Sequence, residues 1–241
     1  MLTRNTWIFI AAAWLLAAAC SQPAPPASES ARAPVDVAAS SDRATAASAA
    51  PAARTAARPR IVFLGDSLTA GLGLAPDQSV PSLVQRRLEA ESYDYEVVNA
   101  GVSGDTSAGG LSRLDWSLEG DVRVLVVELG ANDGLRGISV ASMKQNLAEI
   151  ITRAKARGIT VLLTGMEALP NYGMAYTSEF RQAFRDLAEE HDVAFVPFFL
   201  EGVAGDPALN QRDLIHPNPE GAQVIERTIW ASLEPLLEEK D

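Results

Sequence analysis

From Arg60 onward, short apolar runs alternate with stretches in which apolar residues return every three or four positions. The runs Ile61–Leu64, Tyr95–Asn99, Val122–Leu129, Thr160–Thr164 and Val193–Pro197 are mostly continuous rather than alternating. That is the pattern of strands covered on both faces. Between them Val80–Glu91, Ala108–Leu118, Ser142–Arg157 and Ser178–Glu190 read as helices, and a last helix as Pro219–Glu239. In the third, Leu147, Ile150, Ile151 and Ala154 form one stripe and Gly158 supplies the stop. Ile225, Ile229, Leu233 and Leu236 repeat that spacing in the last. Strand–helix alternation predicts right-handed βαβ crossovers, hence an α/β fold: a five-stranded parallel sheet with helices on both faces, in three layers. Ligands of such sheets bind beyond the carboxyl ends of the strands. Ser67, Gly104 and Asn132 all lie just past predicted strand ends, so the fold alone would gather them at one rim.

Before Arg60 the pattern is different. Arg4 precedes the apolar run "WIFIAAAWLLAAAC", short for a membrane span and flanked like an export signal. The only cysteine, Cys20, ends the run, which excludes an intramolecular disulfide. A cysteine after Ala17-Ala18-Ala19 resembles the lipobox of bacterial lipoproteins, with Leu16 one step out of register. Ala17-Ala18-Ala19 also suits ordinary signal peptidase, which would release a soluble periplasmic product, and a membrane anchor helix is a third reading. From Ser21 to Pro59 the chain is largely Ala, Pro and Ser, with no apolar face to offset the entropy of ordering it. The expected organisation is a signal peptide over residues 1–19, a tether over residues 20–59 with Cys20 lipidated, and one domain over residues 60–241. Such a tether reaches about 35 Å, enough to hold a domain clear of a lipid surface. The expected address is the periplasmic side of a Gram-negative outer membrane, Ser21 lacking the aspartate of inner-membrane retention. A net charge of −11 with no basic run argues against a nucleic-acid partner.

The stretch "RIVFLGDSLTAG" sets the chemical question. Ser67 after Gly65-Asp66 is either a helix cap or a nucleophile. It is not the G-x-S-x-G elbow, since Thr69 stands at the last glycine's place. A nucleophile needs a base, and the chain has two histidines. His191 ends a helix at the opposite rim, where the helix dipole explains it. His216, in "RDLIHPNPEG", follows the fifth strand and shares the rim of Ser67. Asp213 precedes it by three residues, so one turn of helix-like backbone would bring carboxylate and imidazole together. Gly104, in "NAGVSGDT", could bring a backbone N–H to a substrate oxygen. Asn132, in "ELGANDG", could donate from its amide. Each is equally turn chemistry when taken alone.

Together "GDSL", "SGDT", "GAND" and "DLIHP" resemble the four blocks of the SGNH, or GDSL, hydrolases. Beyond the blocks, "VVNAGVSGDTSAGGLSRL", "VELGANDGLRG" and "LPNYG" resemble the branch of bacterial thioesterase I/lysophospholipase and the arylesterases. The resemblance implies a flavodoxin-like sheet in order 2-1-3-4-5, with no metal and no organic cofactor. It implies Ser67 as nucleophile, His216 as base and Asp213 as acid. The oxyanion hole would comprise the Ser67 and Gly104 N–H groups and the Asn132 amide. The loop Leu169, Pro170, Asn171 and Tyr172 would line an acyl pocket, though its apolar residues serve packing equally well. Departures are Gly-Ala-Asn for Gly-Gly-Asn, and Leu214 where glycine is frequent.

The expected function is an exported serine esterase acting through an acyl-enzyme on acyl esters, thioesters or lysophospholipids. One alternative is an esterase for O-acetyl groups of envelope or plant polysaccharide, against which stands the scarcity of tryptophan for a sugar platform. Another is a non-catalytic envelope lipoprotein. Asp66 is expected to hold the tight turn rather than to serve as the acid. The sequence offers no handle on oligomeric state.

Overall fold

The computed structural model describes residues 58–237. The expectations for the signal peptide, for Cys20 and for nearly all of the tether lie outside the described residues. Five parallel strands form one sheet: β1 Arg60–Gly65, β2 Glu96–Gly101, β3 Val122–Glu128, β4 Thr160–Thr164 and β5 Ala194–Val196. Their order is β2-β1-β3-β4-β5, with Gly65 of β1 paired to Gly101 on one side and Glu128 on the other.

The order follows from the crossovers. Helix α2 (Val80–Ala90) carries the chain from β1 outward to β2. Helices α6 (Val140–Ala156) and α7 (Met174–His191) carry it the other way, from β3 to β4 and from β4 to β5. Right-handed crossovers in opposite directions place their helices on opposite faces. So α6 packs on α7 over one face, and α2 packs on α8 (Pro219–Leu233) over the other. The predicted stripe of α6 is fully buried: Leu147, Ile150, Ile151 and Ala154 are all at 0% exposure. Truncating one of its large members to alanine would cost about 2–5 kcal/mol. The chain reverses direction between β1 and β3, and a crevice opens there at the carboxyl ends.

Four elements differ from the sequence pattern. The last helix closes at Leu233, and Leu236 falls in a separate 3₁₀ turn, Glu234–Leu236. Ala108–Leu118 is not one helix but two, α3 (Ser107–Ser112) and α4 (Leu114–Ser117). They break at Arg113, whose guanidinium turns inward to the carbonyls of Ala100 and Gly65. Two short helices, α1 (Ser67–Ala70) and α5 (Ala131–Leu135), stand directly at the rim. Asn132 therefore lies in the first turn of a helix, not in an open turn.

Candidate active site

At the end of β1 the cap and the nucleophile candidate are different residues. Asp66 caps α1: its Oδ1 accepts from the Leu68 N–H at 3.0 Å. Ser67 is the first residue of α1, and its Oγ lies 2.9 Å from Nε2 of His216. His216 comes from the loop before α8, which is tied down at several points. Gln211 N–H donates to the His216 carbonyl at 2.7 Å, and Asn210 bridges to Pro217. The Gln211 amide also reaches the Leu72 carbonyl at 2.7 Å, fastening this loop to the end of α1.

Asp213 completes the line. Its Oδ2 is 2.7 Å from His216 Nδ1, while Oδ1 accepts from the backbone N–H of Ile215 and of His216, each at 3.0 Å. These bonds, the His216 amide first and its imidazole next, pull the Asp213 carboxyl down to about 2. An ionised Asp213 holds the ring proton on Nδ1 and leaves Nε2 to accept from Ser67. Leu214, between the two, has φ +59° and is exposed. A side chain there costs on the order of 1 kcal/mol relative to glycine.

Ser67, Gly104, Asn132 and His216 share the wall of one cavity of about 560 Å³. Its remaining surface is mainly apolar, including Leu72, Met166, Phe198, Leu200 and Ile215. Gly104 has φ +87°, a conformation that lets its peptide face the cavity without a Cβ penalty. The Asn132 amide donates to Asp66 Oδ2 at 2.9 Å. From the loop after β4 the cavity takes Leu169 and Pro170 but not Asn171 or Tyr172. The turn Pro170–Tyr172 carries the latter two away, and the Tyr172 hydroxyl donates to the Leu135 carbonyl at 3.2 Å. His191 ends α7, far from this rim in the sheet topology. Among the described residues no group of three or more His, Cys, Asp or Glu side chains could hold a metal ion.

The sequence profile of the GDSL-like Lipase/Acylhydrolase family matches residues 63–224. The chain belongs to this family. Esterase TesA of Pseudomonas aeruginosa is 46% identical over 183 residues, covering 76% of this chain and 91% of that protein. Thioesterase 1/protease 1/lysophospholipase L1 of Escherichia coli K12 is 38% identical over 185 residues, covering 76% and 88%. The crystal structure of the psychrotrophic esterase EstA from Pseudoalteromonas sp., inhibited by monoethylphosphonate, superposes with TM-score 0.70 at 35% identity, covering 73% of this chain and 97% of that one. The chain is a GDSL-type carboxylic ester hydrolase with the flavodoxin-like sheet expected of the family.

In this GDSL hydrolase several groups that shape the rim went unread in the sequence. Asp133 accepts from the Ser107 N–H at 2.8 Å and from its hydroxyl at 2.7 Å, clamping the "GAND" and "SGDT" segments together. Arg113 bonds Asp105 at 2.6 Å as well as the two strand-end carbonyls. Arg136 donates to the Gly104 carbonyl at 2.8 Å, holding the peptide that follows the one bearing the Gly104 N–H. Glu128, at the end of β3, is wholly buried. Its place at the end of the apolar run Val124–Val127 was the one signal available; Asp133 and Arg113 resemble ordinary surface charges until the fold brings their partners near.

Proposed function

We propose that the protein is an exported serine esterase. The single observation that carries the reading is the relay Ser67–His216–Asp213, with links of 2.9 and 2.7 Å, at the wall of an apolar cavity. His216 takes the Ser67 proton as Oγ attacks an acyl carbonyl. The Ser67 and Gly104 N–H groups and the Asn132 amide hold the tetrahedral oxyanion. His216 then protonates the departing alcohol or thiol, leaving an acyl-enzyme. Water, deprotonated by His216, repeats the attack and frees the acid. Acyl esters are the principal substrates, with thioesters and lysophospholipids as relatives' names suggest. An apolar cavity supports an acyl chain over the O-acetyl group of a polysaccharide. The reading includes a signal peptide over residues 1–19 and a tether over residues 20–59 with a lipid on Cys20, placing the domain at the outer membrane.

A fluorophosphonate should label Ser67, and Ser67→Ala should lose both the label and more than about 10³-fold of ester turnover with the fold unchanged. Undiminished turnover by Ser67→Ala would sink the proposal. The same label followed through membrane and soluble fractions tests the anchor: Cys20→Ala should move it to the soluble fraction, and unchanged partition refutes acylation.

A further inference from the structure

Beneath Ser67 lies a second polar cluster that the relay does not use. Glu128 is at 0% exposure, and so is Asp66. Glu128 Oε2 accepts from the Asp66 N–H at 3.2 Å and from the Thr69 hydroxyl at 2.8 Å. Its Oε1 is buried and has no partner among the described residues. An ionised carboxylate oxygen in that situation loses its hydration with no protein donor in exchange, which disfavours the charged form. The groups acting most strongly on Glu128 are Asp66 and Thr69, and on Asp66 the Leu68 N–H, the Asn132 amide, Glu128 and the His216 imidazole. The nearby Arg113 guanidinium is spent on Asp105 and on the carbonyls of Ala100 and Gly65. Burial first, then the Asp66 charge, push the Glu128 carboxyl well above the usual range.

A proton on Glu128 resolves the problem. Oε1 becomes a donor, and the acid beside it is Asp66, whose own N–H already bonds Oε2 at 3.2 Å. Burial raises Asp66 as well, but bonds from the Leu68 N–H, the Asn132 amide and Glu128 oppose that rise. One proton therefore serves two carboxyls, and it resides on Glu128. The consequence falls on Asn132. An amide nitrogen carries two hydrogens. With one committed to Asp66 Oδ2 at 2.9 Å, the amide cannot swing, and the other hydrogen is left for the cavity that Asn132 lines. Gly65 makes the arrangement sterically possible: a Cβ there would stand 2.0 Å from the Thr69 hydroxyl and 2.6 Å from Glu128 Oε2.

We propose that Glu128 is a positioning residue for the oxyanion hole: it shares one proton with Asp66, and the pair aims the Asn132 amide at the developing negative charge. This rests on the reading of Asn132 as an oxyanion donor, so the reference variant is Asn132→Ala. It should lower kcat by about 10²-fold or more with KM little changed. Unaltered kcat there overturns the oxyanion reading itself, and the inference with it. Given that loss, Glu128→Leu should lower kcat about tenfold or more with KM unchanged, and should add nothing in the Asn132→Ala background. Losses that add in the double variant overturn the role of Glu128 while leaving the oxyanion reading intact. Glu128→Gln can accept at the Oε2 position and donate from the Oε1 position, so it should restore kcat to within about threefold of the parent. A loss as deep as that of Glu128→Leu would mean that an ionised carboxylate is needed, and the proposal fails. Should Glu128→Leu not fold, infrared difference spectra decide. A protonated-carboxyl band at neutral pH should be present in the parent and missing from Glu128→Gln, and its absence from the parent overturns the proposal.

Discussion

Asp213 approaches the serine from a loop open to solvent; Glu128 lies under the same serine, sealed in the sheet. The Asp213 side chain is 45% exposed, that of Glu128 not at all. Asp213 meets two backbone N–H groups and an imidazole, and its carboxyl falls to about 2. Glu128 meets one N–H, one hydroxyl and another acid, and its carboxyl is driven upward. The difference comes from the balance between donors and burial, not from residue type. A carboxyl surrounded by donors keeps its charge and can steady an imidazolium. A carboxyl walled in beside another acid keeps its proton and acts as a hydrogen-bond donor.

The comparison is broken most directly at its exposed side. Asp213→Asn should lower kcat/KM about 10²–10⁴-fold, because an amide no longer fixes the imidazole tautomer. Glu128→Gln should cost no more than a few-fold. Equal losses in the two amide variants, measured on one short-chain ester, would erase the distinction. A smaller effect lies in stability. Asp213 is depressed, so its support is fully present above the ordinary 3.8 and fades as pH falls through about 2. Glu128 runs the other way. The unfolded chain releases that proton near the ordinary 4.5 while the folded chain keeps it, so Glu128 lowers stability as pH rises above 4.5. Melting temperatures of Glu128→Gln minus those of the parent should widen upward from that pH, and a constant gap would show that Glu128 ionises normally in the fold. The smallest change is expected at Leu214. Leu214→Gly relieves the left-handed backbone but loosens the unfolded chain, so stability should move by less than about 1 kcal/mol. KM should rise more for long than for short acyl esters, since Leu214 lines the cavity mouth. A uniform rise would remove it from acyl recognition.

Much of the architecture was legible because long elements carry periodicity. Thr160–Thr164 was read to the residue, and the other strands within two residues at either end. Helices α1 and α5, with four and five residues, are too short to show an apolar stripe. The split at Arg113 depends on carbonyls of β1 and β2, which no local pattern contains. The same divide runs through the site. The grouping of Ser67, His216 and Asp213 was legible because strand ends share a rim and histidine is scarce. The turn-holding assignment of Asp66 agrees with its bond to Leu68, but its second bond, to Asn132, joins residues 66 positions apart. Asn171 and Tyr172 adjoin Leu169 in sequence, yet a single short turn separates them from the cavity wall that Leu169 joins.

The Ser67–His216 bond joins residues 149 positions apart, one at the start of the sheet and the other just before the last helix. Neither half of the domain contains the pair. A chain still emerging from its ribosome has the serine but no imidazole beside it until the segment carrying His216 has docked. Reactivity toward a fluorophosphonate is then a measure of completed folding as well as of chemistry. Fragments cut anywhere between the two residues should be chemically silent until they are recombined.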